Sequence, residues 1–339
     1  MVGGGHVPHW LISPENSWSP PRFSALDREF FAPVSATTFG IEIEGGGLGY
    51  AAFNVVRAAS PDLAWETRYD GSVSLVRAFE VVTPPMVLAD LEKAVAGVRA
   101  LTRAGMTANA SCGVHVHVGA RALVSCAGAL HRLCRLVADH EDTIHELLGG
   151  GRSHNSTCLR FRREHALDAG VSPAFLELLD GGVEVSAPKL LASIYRGGTP
   201  KKRKHVAERY MGLNLHAVRR YGTVEFRWYP ASRYAARIRA WVILSLALVR
   251  AAIVDAAGGA LVNNQLRSNA PPGTLAPRRA LSPGALLDLL AIPRTEFTEV
   301  LWRVAALNTT SDLAERRHLQ AGKQGVARAV DRYINRTER

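Results

Sequence analysis

Four short stretches of the 339-residue chain set ionisable side chains at two-residue spacing against apolar runs. In FGIEIE, Glu42 and Glu44 alternate with Phe39, Ile41 and Ile43. In CGVHVHVG, His115 and His117 alternate with Val114, Val116 and Val118. In TVEFRWY, Glu225 and Arg227 alternate with Val224, Phe226 and Trp228, and in AFEVV, Glu80 stands between Phe79 and Val81. A strand repeats its side-chain direction every two residues, so each stretch predicts one apolar face and one chemically active face. Two carboxylates sharing a face repel unless a cation, a proton or a basic side chain compensates them. One such strand reads equally well as the solvated outer face of an antiparallel sheet. Four strands of Glu, His and Arg, without the usual Thr, Ser, Lys and Gln, predict the floor of a site.

A donor set dominated by carboxylates, with one or two imidazoles, suits hard divalent ions such as Mg2+ or Mn2+, with phosphate oxygens completing the shell; zinc also fits. The His-x-His pair occurs in cupin oxygenases and metallohydrolases as well. The cupin pattern adds a Glu shortly after the pair, where this chain has Gly119, Ala120, Arg121 and Ala122. The hydrolase pair usually opens a first barrel strand, and this pair lies mid-chain. Two basic stretches follow, one with Arg152, Arg160, Arg162 and Arg163, the other with Lys201, Lys202, Arg203 and Lys204. Arginine forks would hold phosphate there; a solvated run or a nucleic-acid contact is the other reading of the second stretch.

Strands are predicted at Phe39–Gly45, Trp65–Ser72 (entering a turn at Asp70-Gly71), Ala78–Pro85 and Gly113–Gly119, and in YMGLNLHAV and TVEFRWYP. Helical spacing predicts helices over Met86–Ala104, ending at Gly105, over Arg121–Leu148, and over Arg237–Ala257. Shorter helices are predicted at Ser172–Leu179 and Ala187–Tyr195, with VVRAAS (Val55–Ser60) as a short helix end. Residues 1–36, rich in Pro, Gly and Trp, read as an irregular arm that packs by its aromatics. Residues 37–257 read as the catalytic domain, 258–284 as a linker and 285–339 as a C-terminal helical segment.

Composition bounds what such a chain can be. With 47% hydrophobic and 21% charged residues it buries a sizeable core, which excludes global disorder and a low-complexity fibre. The most apolar stretch, Ala240–Val249, falls short of the roughly 20 residues that a membrane helix needs, so no membrane partner is expected. No secretory signal is read at the N-terminus, and four irregularly spaced cysteines do not make a disulfide scaffold, so a reducing cytoplasm is the expected compartment. Forty-one Lys and Arg against 30 Asp and Glu give a net charge of +11, which favours anionic ligands. Carboxylates interleaved with the basic residues argue against a nucleic-acid surface.

Taken in order, FGIEIE, YDGS, FEVVTPP, CGVHVHV and TVEFR resemble the amidoligase family of carboxylate-amine ligases, relatives of glutamine synthetase and glutamate-cysteine ligase. The resemblance spans roughly Thr37 to Val254. It implies an α+β fold, a curved antiparallel sheet with helices packed on one face around a glutamine synthetase-like core. It further implies ATP held through Mg2+ (or Mn2+), phosphorylation of an amino-acid or peptide carboxylate, and attack by an amine. Residue by residue, it places Glu42, Glu44, Glu80, His115 and Glu225 on metal ions and His117 near the nucleotide phosphates. Arg227 falls on phosphate or the substrate carboxylate, and Asp70 on the incoming amine. Arg152, His154 and Asn155 match an R-x-HN element and Tyr210 with Asn214 an RY-x-x-x-N element, both on the cofactor side. The Gly149–Arg163 and Arg196–His205 stretches are then candidate lids.

Overall fold

The computed structural model describes residues 20–68, 72–148, 152, 155–161, 163–168, 170–181, 183–196, 206–258 and 281–309, without the side chains of 163–165 and 307–309. Asp70, His154, Arg162 and the whole KKRK run lie outside the described residues.

Six antiparallel strands form one sheet: β1 (Phe39–Gly45), β2 (Glu66–Arg68), β3 (Phe79–Val82), β4 (Gly113–Gly119), β5 (Leu213–Asn214) and β6 (Thr223–Pro230), in the order β2-β3-β1-β4-β6-β5. The helices are α1 (Ala25–Phe31), α2 (Ala51–Ala59), α3 (Leu91–Arg103), α4 (Arg121–Ser125), α5 (Ala129–Leu147), α6 (Arg163–Asp168), α7 (Pro173–Asp180), α8 (Ala187–Ser193), α9 (His216–Tyr221), α10 (Ala235–Ala256), α11 (Pro283–Leu289) and α12 (Glu299–Thr309). The fold is therefore α+β with an antiparallel sheet. Among the described residues, no helix is long and apolar enough to cross a membrane.

The apolar faces of the central strands are sealed. Ile41, Ile43, Val114, Val116, Val118, Val224 and Phe226 are all within 1% of full burial. They pack under a helical layer built on α10, which is buried along most of its length and touches β4, α3, α5 and α12. A helix apolar all round needs partners on every side, and α10 has them. Tyr229 pins sheet to helix: its ring stacks on Trp241 at 5.3 Å, and its hydroxyl reaches Ser245 Oγ at 2.6 Å.

Several elements differ from the sequence expectation for local reasons. The long helix expected over Arg121–Leu148 is two, α4 and α5, because Gly128 takes a left-handed conformation (φ +75) that interrupts the helix. The strand expected through YMGLNLHAV is only two residues long. Asn214 Oδ1 accepts the His216 N–H and turns the chain into α9. The expected irregular arm contains α1, started by a capping box in which Ser24 and Asp27 bond reciprocally. Of the expected linker, residues 259–280 lie outside the described residues, and its end already forms α11 behind the Ser282 cap.

Burial sets the chemistry of the cysteines. All four are free. Burial pushes the Cys134 thiol far above its ordinary range and the Cys158 thiol up to about 12. Cys112 is also buried and shifted upward, whereas Cys126 is only partly covered. A thiolate reagent applied to native protein should modify Cys126 first and leave Cys134 and Cys158 untouched until denaturant is added. Rapid labelling of all four sites, resolved by peptide mapping, would contradict this packing.

Candidate active site

Strand register builds the floor of the site. Glu42 lies opposite His115, His117 opposite Glu225, and Glu44 opposite Glu80, which in turn faces Arg68 on β2. On β6 a bulge intervenes, since Val114 pairs with Tyr229 but Val116 with Phe226, setting two residues against His115. Strict alternation would send Tyr229 to the polar face with Glu225 and Arg227. The extra residue leaves those two in the site and returns Tyr229 to the helices.

Together these strands floor a cleft of about 530 Å³. Of the candidate residues, Glu42, Glu44, Glu80, His115, His117, Glu225, Arg227, Arg152, Asn155 and Tyr210 line it. Asn214 lies behind the cleft, where its Nδ2 donates to Glu225 Oε2 at 2.6 Å, and so it orients a carboxylate rather than facing a ligand. Within the Gly149–Arg163 stretch, the described residues 155–161 are bonded to the rest of the site. Leu159 N–H donates to Tyr210 O, Gly212 N–H donates to Leu159 O, and Arg227 N–H donates to Gly212 O. Asn155 Oδ1 accepts from both the N–H and the hydroxyl of Thr157, whose carbonyl accepts from Arg227 Nε.

The cleft also holds residues that sequence reasoning did not single out, notably Arg68, Ser72, Ser111, Thr157, Arg209 and Tyr221. Arg68 lies 3.8 Å from Glu42 Oε1, and its position in TRYDGS, on a strand leading to Asp70, was the available signal. The others stand in turns or at helix ends, where no periodicity marks them.

One donor group stands out among the described residues. Ligand atoms of Glu42, His117 and Glu225 all lie within 4.8 Å of one another. His117 Nδ1 is engaged by Thr223 Oγ1 at 2.9 Å, which aims Nε2 at Glu42 Oε1 (3.5 Å) and Glu225 Oε1 (3.8 Å). That Nε2 is buried and makes no hydrogen bond. Two carboxylates and one imidazole converging on a common point fit a divalent cation. His115 points Nδ1 at Glu42 Oε2 (3.1 Å) and Glu225 Oε1 (3.5 Å) and sets its buried, unbonded Nε2 3.9 Å from Glu44 Oε1, while His117 belongs to the three-ligand group.

The charges are strongly coupled. Burial would raise the Glu225 carboxyl, but Arg227, ion-paired with it, and the two imidazoles pull it down to about 2. Glu42 is likewise held well below the carboxylate range, because the two imidazoles beside it, His115 within hydrogen-bond distance and His117 at 3.5 Å, overcome burial. The two imidazoles diverge. Burial and the Arg227 charge bring His115 down to about 4, whereas Glu225 and Glu42 raise His117 against its own burial.

An antiparallel sheet backed by helices, with an open face of carboxylates, imidazoles and a guanidinium, defines an α+β protein with an ionic cleft suited to a cation and phosphate-like charge. A family model described as "Putative amidoligase enzyme" matches residues 50–249, more than half of the chain, and the chain belongs to this amidoligase family. No curated protein matches the chain. The matched span contains Glu80, His115, His117, Glu225 and Arg227 and leaves Glu42 and Glu44 outside it, on β1.

In chelator-treated protein, imidazole NMR should show His115 neutral down to about pH 4 and His117 titrating above the ordinary 6.5. By linkage, His117 contributes stability that is full below 6.5 and is lost as pH rises through its raised value. His115, with a depressed value, contributes stability present above 6.5 and lost as pH falls towards 4. Two imidazoles titrating together near 6.5 would contradict the charge arrangement.

Proposed function

We propose that this amidoligase-family protein is an ATP- and Mg2+-dependent ligase with a glutamine synthetase-like catalytic core. It would join an amino-acid or peptide carboxylate to an amine through an acyl phosphate. The observation that carries this reading is the convergence of Glu42, His117 and Glu225 beside Arg227 on the floor of the cleft. Glu42, His117 and Glu225 would hold the first ion, with Glu44, Glu80 and His115 adjacent. Bound there, Mg2+ or Mn2+ would neutralise phosphate charge.

A carboxylate is a poor electrophile because its oxygen leaves badly. Attack of a carboxylate oxygen on the γ-phosphorus of ATP breaks the bond to the β-phosphate oxygen, releases ADP and leaves an acyl phosphate. The amine nitrogen then attacks the acyl carbon, and inorganic phosphate departs. Arg227 supplies fixed positive charge where the phosphoryl oxygens would lie, and its Nε bond to the Thr157 carbonyl orients it before substrate arrives. Asn214 and Arg227 together keep Glu225 ionised. His117, Asn155 and Tyr210 are assigned to the nucleotide side of the cleft. Asp70 is assigned to binding the ammonium form of the amine and accepting the proton it loses.

The His-x-His hydrolase or oxygenase reading loses support because only His117 of the pair joins the three-ligand group. That reading requires tightly held zinc or iron and no ATP.

Calorimetry and ADP release test the proposal together. Glu225→Ala should abolish Mg2+-dependent ADP binding, or weaken it at least tenfold, while the protein stays folded by circular dichroism. Arg227→Lys should cut turnover at least tenfold, since an ammonium cannot reproduce the fork. Asp70→Asn should retain carboxylate-dependent ADP formation but slow amide formation. ADP binding by Glu225→Ala equal to wild type would overturn the metal assignment. Equal amide yield from Asp70→Asn at every amine concentration would remove Asp70 from the reaction.

A further inference from the structure

Glu141 is a buried carboxylate that the proposed reaction does not use. It stands on α5, 3% exposed, and does not line the cleft. Its Oε2 accepts the Phe161 N–H at 2.7 Å, and the next residue, Asp142, is ion-paired with Arg160. Two consecutive residues of α5 therefore hold two consecutive residues of the segment whose Asn155 and Thr157 line the cleft. Burying a carboxylate is costly unless a donor meets it, and a bond to an ionised acceptor is about twice as strong as a neutral one.

From this segment, hydrogen bonds lead to Arg227 by two routes. Along the backbone, Leu159 N–H donates to Tyr210 O at 2.6 Å, Gly212 N–H donates to Leu159 O at 2.8 Å, and Arg227 N–H donates to Gly212 O at 2.7 Å. Through the side chain, Arg227 Nε donates to Thr157 O at 3.2 Å. Glu141 also packs towards Gly212 itself. A Cβ built there would lie 3.5 Å from Glu141 Oε1 and 2.9 Å from the Trp228 ring, so the glycine lets α5, the segment and β6 close on one another. Besides its burial, the Cys158 thiol responds to the charges of Arg152, Glu141, Arg227 and Glu225, so all four surround one buried side chain. The guanidinium that faces the cleft is thus held by a segment that Glu141 holds in turn. Such support matters, because displacing a charged group by about 1 Å can cost about a hundredfold in rate.

We propose that Glu141 is a positioning residue: by holding the Phe161 N–H it fixes the 155–161 segment and, through Thr157 and Gly212, the direction of the Arg227 guanidinium in the cleft. That Arg227 meets a phosphoryl group rests on the ligase reading above; that Glu141 sets its direction does not.

Proton exchange of the Arg227 Nε–H reads the positioning directly. It is assigned by its absence in Arg227→Lys and followed by NMR in the full-length protein without metal or nucleotide. In the wild type the Phe161 N–H and the Arg227 Nε–H should open as one unit, with the same dependence on denaturant. In Glu141→Leu the Arg227 Nε–H should exchange about tenfold faster, while the amides of the paired Ile41 and Val116 in the central strands keep their protection. Glu141→Gln, whose carboxamide oxygen can take the same N–H, should stay within about twofold of wild type. Mg2+-dependent binding of tripolyphosphate, measured by calorimetry, should weaken about tenfold in Glu141→Leu and recover in Glu141→Gln. Unchanged Arg227 exchange in Glu141→Leu, even with a lower melting temperature, would overturn the proposal and leave Glu141 a packing residue. So would a loss in Glu141→Gln as large as in Glu141→Leu, because the charge rather than the bond would then decide. If Glu141→Leu does not fold, the wild type decides alone: shared opening of the two protons supports the proposal and separate opening overturns it. Failure of the wild type to bind Mg2+ and tripolyphosphate would instead sink the ligase reading, and the exchange result would stand on its own.

Discussion

Mutual repulsion among carboxylates on one face of the sheet is the constraint that the rest of the site answers. Glu42 and Glu44 on β1, Glu80 on β3 and Glu225 on β6 share a floor, and burial makes each ionised group more costly. Cations and donors are set among them in register: the imidazoles of β4 between Glu42 and Glu225, Arg68 beside Glu42, Arg227 against Glu225. Removing one member of a buried pair leaves the other uncompensated, at a cost of about 3–5 kcal/mol. The polar face is therefore one interlocked unit.

Much of this was legible because the side-chain period of a strand is two. FGIEIE and GVHVHVG carry that period without interruption, and the structure puts Glu42, Glu44, His115 and His117 on one cleft floor. TVEFRWYP obeys it only as far as Arg227. The bulge that returns Tyr229 to the helices depends on what β4 offers opposite, a pairing that a single strand's composition does not contain. Helix ends followed the same division. The break at Gly128 and the Ser24-x-x-Asp27 box are local signals, whereas the two-residue β5 is decided by Asn214 bonding forward to His216 and sideways to Glu225. Arg152 sits in a Gly-rich, basic stretch whose composition resembles a solvated loop. Its packing against Gly113 of β4 is a tertiary contact that local composition does not contain.

The terminal regions illustrate a different limit. Their composition suggested attachments to a core, but the described parts belong to the core itself. Phe30 and Phe31 of α1 and Leu286, Leu301 and Trp302 near the other end of the described chain join the same buried cluster as the sheet. Asp27 accepts from Thr295 at 2.6 Å, Phe23 packs edge-on against Phe297 at 4.9 Å, and the Arg250 guanidinium lies 4.1 Å over the Phe30 ring. These contacts join segments more than 200 residues apart in sequence, so no window of local composition reveals them.

The position of β1 bears on which part of the chain can act alone. The family match begins at residue 50, after β1, yet β1 is hydrogen-bonded to β3 on one side and β4 on the other. In the order β2-β3-β1-β4-β6-β5, deleting β1 divides the sheet into a two-stranded piece and a three-stranded piece, each with a newly exposed edge. It would also remove Glu42 from the three-ligand group and the Glu44 carboxylate that accepts the Gly113 N–H. Glu42 closes the group between His117 and Glu225, and its strand lies between Glu80 on one side and the two histidines on the other. Sheet continuity and the candidate site therefore depend on the same seven residues, Phe39–Gly45, so the smallest unit able to fold around this cleft extends N-terminally beyond the matched span.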